Sequence, residues 1–442
     1  MIRAKTVYNL FLFRKDLRIK DNPALLQAFK ADLPLILLYV FDHKVLTLGT
    51  NSAVFNFNVV TQLSKDLSNH LFIREGNTED VLNTLIEQYK VNHIFVNDNT
   101  EPALTDSLNF KNVDLKDKLS IVNDRVLDLD IIDQGRHKPY VKFTYFYQRI
   151  LKTQAFVPPL EYDLNLEELL PQLVKPKLGE QAAVQPPKSL VDIDSLYPNT
   201  NEQAVAAQLS DWYEFLLPKY GSHPKNLNED KPSYTSHLIA IGLLSKRKLI
   251  ELNSKERALA VNSLSHDSTQ NKRIAGCDRL LRNVIWNEFC RYMHQHHPDM
   301  DRVCIACNPT LVFNKEKFLA WCQANTGCPI VDIAINQLIG TGHLPNALRL
   351  LVASYLINVY KLPWQYGAQF FKEHLIDADN AANSFNWQFV AKTLPSNSLR
   401  SITRFDNKLK VLDPQNRLGQ LAHTLAKDPA IKKYKRELAK QL

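Results

Sequence analysis

Over the first 150 residues, short β-rich runs alternate with amphipathic helical segments; beyond them only the helical period continues. The runs VYNLFLFRKDL, LPLILLYVF, HLFIRE and HIFVND are rich in β-branched and aromatic residues. Between them, NPALLQAFKA and TEDVLNTLIEQY carry apolar residues at the spacing of a helix face. Parallel strands need crossover connections of this length, so the alternation predicts a doubly wound parallel sheet. No GxGxxG follows the first run, which gives no support to an ordinary dinucleotide site there. Around LVKPKLGEQAAVQPPKSLVD the periodicity fades and prolines gather. The segments DWYEFLLPKY, HLIAIGLLSKRKLIEL, DRLLRNVIWNEFCRYMHQ, PIVDIAINQLIGTG and NALRLLVASYLINVY then predict an almost wholly helical remainder. The expected organisation is an N-terminal α/β domain over 1–164, a connection over 165–200 and an all-α domain over 201–442.

With 442 residues, 45% of them hydrophobic, each domain can bury its own interior. No stretch of eighteen apolar residues occurs, and the apolar run in MIRAKTVYNLFLFRKDLR is too short for a signal peptide. The expected location is therefore the cytoplasm, without a membrane partner. Six cysteines are too few for a disulfide framework. Cys304 and Cys307 form a CxxC, but no second pair stands at metal-ligand spacing, so no metal is expected. Lys plus Arg number 54 against 46 Asp plus Glu, a net +8 that points only weakly to an anionic partner. The lysine-rich end, KDPAIKKYKRELAKQL, reads first as a solvated helix.

One stretch asks for a more specific explanation. HLIDADNAANSFNWQF, residues 374–389, packs two carboxylates and four carboxamides among aromatics without a glycine or proline. Together with FRKDLRIKDNPAL near the start, and AWCQANTGCPIVDIAINQL followed by GTGHLPNALRLLVASYL, it resembles the DNA photolyase and cryptochrome family. The resemblance spans nearly the whole chain in several ungapped blocks. It implies an α/β domain joined to a helical domain that holds FAD, and electron transfer driven by blue light.

On this resemblance Asn383 faces the flavin N5, where an amide can serve a buried ring edge without adding charge. Asp377 and Asp379 match two acidic positions near the flavin and ribose, with Arg349 the partner of Asp377. Asn346 and Asn287 match further cofactor positions. Tyr220, Ser233 and Ser236, in YGSHPKNLNEDKPSYTSHLIAIG, fall on a phosphate-binding segment, although Lys231-Pro232 replaces the family's Gly-Thr and Tyr234 its arginine. Trp387 and Trp364 match the two inner members of an electron-relaying tryptophan chain, or are plain core. The outer member is absent, Ile305 standing in its place. In the lesion-binding cavity Trp286 is kept, while Leu280, Asn283 and Asn287 replace tryptophan, glutamate and arginine. His343, Ala347 and Leu350 also depart from the family pattern. Three functions follow as alternatives: a photolyase that repairs UV-induced pyrimidine dimers in single- or double-stranded DNA, a cryptochrome-like photosensor that signals to a protein partner, and a flavoprotein that keeps the fold and FAD without a light function. A second, antenna chromophore is left open; Asn99 and Glu101 lie near where some relatives bind a folate.

Overall fold

The computed structural model describes residues 7–42, 50–98, 112–177, 184–185, 192–221, 235–263, 267–307, 310–395, 420, 424 and 427–441. Five parallel strands form one sheet in the order β3-β2-β1-β4-β5: β1 (Tyr8–Phe13), β2 (Leu35–Phe41), β3 (Leu71–Glu75), β4 (Val91–Asp98) and β5 (Leu119–Asn123). The expected α/β class and parallel sheet are thus present. Every residue of β2 is buried, which explains its uninterrupted apolar run, LILLYVF. β5 escaped the sequence reading because LSIVN sits at the sheet edge, is half exposed and shows no apolar run.

Helix α1 (Pro23–Lys30) begins behind Asn22, whose side chain accepts from Leu25 N, with proline at its first position. Helix α3 (Thr78–Tyr89) is capped in the same way by Asn77, which accepts from Glu79 N and Asp80 N. Helix α2 (Thr50–Asp66) completes this unit's longer helices, and α4 (Phe143–Thr153) leads away from it. The proline-rich connection is not featureless: Leu173 bridges in parallel to Leu35 at the start of β2.

The remainder is helical. Its longer members are α5 (Lys246–Val261), α6 (Ser268–His296), α7 (Lys315–Cys322), α8 (Pro329–Thr341), α9 (Asn346–Ser354), α10 (Trp364–His374), α11 (Asn380–Ala391) and α12 (Pro429–Gln441). One apolar core runs without a break from Phe11, Leu37 and Tyr39 of the sheet to Ile241, Leu249, Leu280 and Val284 of the helical part. Among the described residues no helix is long and apolar enough to cross a membrane.

The carboxyl ends of the strands meet α5 through buried charge. Arg247 at the start of α5 pairs with Asp21 (Nε to Oδ2, 3.0 Å) and Asp124 (Nη2 to Oδ1, 2.7 Å), and Arg18 also pairs with Asp124 at 2.8 Å. These are two cations and two anions, nearly fully buried. Gly242 makes the approach possible: its φ is +75°, and a Cβ there would lie 2.0 Å from the Lys15 carbonyl oxygen. Leu17 N donates to Ile241 O and Arg18 Nη1 to Gly242 O across the same gap, both at 3.3 Å.

Arg247→Ala is predicted to destabilise the whole chain by about 3–5 kcal/mol, because it leaves the buried Asp21 carboxylate without its cation, while Asp124 keeps Arg18. Lys255→Ala, which breaks only the exposed pair with Glu251, should cost less than about 1 kcal/mol. Urea unfolding of the two variants checks the contrast; equal effects would contradict it.

Candidate cofactor site

The stretch 374–389 is the turn from α10 into α11 followed by most of α11. The turn is fixed from outside. Asn51 Nδ2 donates to His374 O at 2.8 Å, Ser52 Oγ donates to Leu375 O and Ile376 O, and Ile376 N donates to Gly342 O at 2.9 Å. Asp379 then caps α11, its Oδ1 accepting from Ala382 N at 2.9 Å.

Both acids are paired. Arg349 Nη2 lies 3.0 Å from each oxygen of Asp377, and its Nε donates to Leu344 O at 2.7 Å. Burial would raise the Asp377 carboxyl, but Arg349, with help from His343 and the Ser236 hydroxyl, holds it below the usual carboxylate range. Asp379 pairs with Arg291 of α6 at 3.0 Å. Burial opposes its ionisation too, and is outweighed by Arg291, Lys15 and Lys246, which keep it well below the ordinary value. Arg291 was not anticipated from sequence: it lies 88 residues upstream, and no local pattern links it to Asp379.

The four carboxamides divide by task. Asn383 Nδ2 donates to Ala368 O at 2.8 Å; since a carbonyl only accepts, this fixes the amide's orientation and leaves Oδ1 for the adjoining cleft. Asn386 Nδ2 donates back to Ala382 O at 2.7 Å, and the side chain lines the same cleft. Gln388 is wholly buried and structural: Nε2 donates to Met300 O and Val303 O, and Oε1 accepts from Ile305 N. Asn380 begins the helix.

Two clefts meet here. The smaller is lined by Asn383, Asn386, Trp387, Asp377, Asp379 and Phe371. The larger, of about 640 Å³, shares Asn346, Arg349, Asp377 and Asn386 with it and extends to Tyr220, Ser236, Arg279, Arg282, Asn283 and Trp286. That volume lies within the range of small-molecule sites, about 300–1,000 Å³. Three arginines against a single carboxylate in the lining suit an anionic ligand.

Tyr220 carries the Arg279 guanidinium over its ring at 4.4 Å, and its hydroxyl accepts from Asn283 Nδ2 at 2.6 Å. Trp286 stands edge-on to Phe143 (4.9 Å), Phe385 (5.7 Å) and Phe389 (6.0 Å). Trp387 packs edge-on to Phe371 at 5.0 Å, and its ring fills the space beside Gly367, where a Cβ would come within 2.2 Å of it. That role of Gly367 was not read from the sequence. Asn287 lines neither cleft; its Oδ1 accepts from Lys246 Nζ. Trp364 lines neither as well: it is buried, with its Nε1 donating to Cys304 Sγ at 3.3 Å. Leu280 is part of the main core, and Ile305 packs on the edge of a neighbouring one. Ser233, Asn99 and Glu101 lie outside the described residues. Among those residues no group of His, Cys, Asp and Glu is placed to hold a metal.

A parallel-sheet domain followed by a helical domain with a large, cationic, amide-lined cleft defines a two-domain protein shaped to hold a sizeable anionic ligand. Residues 9–165 match the model of the DNA photolyase domain, and residues 280–418 that of the FAD binding domain of DNA photolyase. The deoxyribodipyrimidine photo-lyase of Vibrio cholerae is 33% identical over 205 residues, 46% of this chain and 41% of that one. Cryptochrome-1 of Arabidopsis thaliana is 25% identical over 89% of this chain and 59% of its own length. The chain thus spans less than two thirds of the length of both relatives. A crystal structure of a class III photolyase from Agrobacterium tumefaciens superposes with a TM-score of 0.74 at 23% identity, covering 98% of this chain and 93% of that one. The chain belongs to the DNA photolyase/cryptochrome family, and its cofactor is FAD.

The donor set fits that group. The open Oδ1 of Asn383 and the amides of Asn346 and Asn386 offer neutral partners to a polar ring edge, while arginines and hydroxyls converge at the wider end. Arg349→Ala is predicted to lose FAD while leaving the sheet domain folded, and adding Asp377→Asn should recover part of the loss by removing the stranded charge. FAD content after gel filtration, with far-UV circular dichroism beside it, measures both. The pH dependence follows from the same pairs. The folded-state values of Asp377 and Asp379 are depressed, so their stabilisation is complete above the unfolded carboxyl value of about 3.9 and is lost as pH falls through the lower folded values. Asp377→Asn should therefore flatten the acid limb of a stability-against-pH curve.

Proposed function

We propose that this chain is a blue-light-driven electron-transfer flavoprotein that repairs pyrimidine dimers in DNA. The observation that carries the reading is that Asn383, its Nδ2 tied to Ala368 O so that Oδ1 is left as an acceptor, lines one cleft with Trp387, one helical turn further on. On this reading Tyr220, Ser236, Asn346, Arg349, Asp377 and Asn383 hold the cofactor, with residues 201–442 as the flavin unit and 1–164 as the α/β unit. When bound and excited by blue light, FAD supplies one-electron chemistry. Asn383 offers an acceptor to a protonated ring nitrogen and no competing charge. Trp387, 2% exposed and braced by Phe371 and Gly367, is held rigidly enough to carry an electron vacancy away from the cleft.

The outer part of the larger cleft supports a nucleic-acid substrate. Arg282 lies over Phe143 at 4.9 Å and Tyr147 at 5.2 Å, and Trp286 presents a ring beside them. Arginines suit phosphates, and an aromatic platform of this kind contributes about 1–3 kcal/mol per stacked base. One feature favours a photosensor as the second reading. Asn283 stands where relatives place a glutamate, and its amide is already engaged by Tyr220, so this position supplies no carboxyl proton to a lesion.

The deciding experiment is photoreduction followed by illumination with cyclobutane dimers in single- and double-stranded DNA. Light-dependent loss of dimers, weakened at least about fivefold by Trp286→Ala as a stacking contribution of that size requires, is the expected result. Full photoreduction with no dimer loss on either substrate would reject repair and leave the photosensor.

A further inference from the structure

We infer that the Cys304 thiol is the terminal electron donor of this protein, filling through Trp364 the vacancy that light opens in the helical core; the inference rests on the light-driven electron transfer proposed above. The position that the family gives to an outer tryptophan is Ile305, an aliphatic residue that cannot be oxidised under such conditions. Its neighbour Cys304 is in direct contact with the next aromatic inward. Trp364 Nε1 donates to Cys304 Sγ at 3.3 Å, so sulfur and indole are joined by a hydrogen bond rather than merely near each other.

The surroundings suit the role. Trp364 is 1% exposed, whereas Cys304 is only partly buried and lines, with Trp364, a solvent-open cavity of about 500 Å³. A proton released from sulfur therefore has water to receive it, and a small thiol has a path in. The segment is held in register with the cofactor site. Gln388 of α11, the residue after Trp387, accepts from Ile305 N at 2.9 Å and donates to the carbonyls of Met300 and Val303 at 2.7 and 2.9 Å. Four of the other cysteines, Cys277, Cys290, Cys322 and Cys328, are buried, and Cys307 donates to Lys392 O at 3.6 Å.

The step balances within named groups. The photoexcited oxidised flavin is the oxidant that opens the vacancy. Once it resides on Trp364 as an indole radical cation, one electron moves from Cys304 sulfur to the indole, the S–H bond breaks and the proton passes to water. This yields neutral Trp364, the Cys304 thiyl radical and one H⁺. An external thiol then returns a hydrogen atom to the sulfur, and two of its own thiyl radicals couple to a disulfide.

The test uses the full FAD-loaded chain under blue light, with a nitrone spin trap and peptide mass spectrometry, and glutathione as the external thiol. Wild type and Cys307→Ser should form a light-dependent adduct at Cys304, or in wild type a Cys304–Cys307 disulfide, and neither should form in Trp364→Phe. In Cys304→Ser and Cys304→Ala the tryptophan radical absorbance should persist several-fold longer, and glutathione should lose its acceleration of steady-state photoreduction. Unchanged radical lifetime in both Cys304 variants, with no adduct on sulfur, would overturn the inference while leaving normal flavin photoreduction intact. A defect in Tyr366→Phe alone would likewise overturn it in favour of that tyrosine, which is 38% exposed and lines the same cavity. Absence of any light-induced flavin change in wild type would instead bring down the electron-transfer reading and this inference with it.

Discussion

The start of α5 is placed relative to the sheet by the buried pairs among Arg18, Asp21, Asp124 and Arg247. Asp21 sits just beyond β1 in a left-handed backbone conformation, φ 49°, and receives hydrogen bonds from Arg247, Ser245 and Leu160 N. Asp124 follows β5 directly. The cluster therefore gathers the carboxyl ends of strands on both sides of the crossover point between β1 and β4, where open parallel sheets usually bind ligands. Among the described residues, arginine side chains line that place beside a void of about 50 Å³. Buried pairs of this kind add little net stability, since desolvation offsets most of their attraction. Their directional bonds fix the docking angle of α5, and α5 packs along α6.

Helix α6 transmits that placement to the cleft. Over 29 residues it carries Arg279 and Asn283 beside Tyr220, Trp286 against Phe143, and Arg291 to the cap of α11. The Arg291–Asp379 pair joins α6 to α11 at the candidate site. Its side chains are 14% and 10% exposed, so salt screens it weakly and loss of either member strands a charge.

Helix α11 works as a shared beam. Its period of 3.6 turns Asn383, Asn386 and Trp387 to the clefts and leaves Gln388 to clamp the 300–305 segment from behind. A helix has no surplus positions under such demands, which accounts for a run of amides and aromatics without glycine or proline. The cofactor side and the Cys304 side are thereby set by one rigid element.

The order of strands and helices was legible in the sequence because burial on both faces or on one stripe writes its own period, as in LILLYVF and TEDVLNTLIEQY. β5 was not, because an edge strand with half its residues in water carries no such signal. The residues of 374–389 and their resemblance to a flavin-binding family were equally readable, and so was the Arg349–Asp377 pair that the family pattern supplied. That Gln388 clamps a distant loop while Asn383 and Asn386 line a cleft was decided only by tertiary structure. So were the Arg291 partner of Asp379, the contact of Gly367 with Trp387 and the hydrogen bond from Trp364 to Cys304. Local periodicity records whether a side chain is inside or outside; it does not record what it meets there, and these partners are brought together from up to 88 residues apart by the packing of helices whose mutual angles no local sequence specifies.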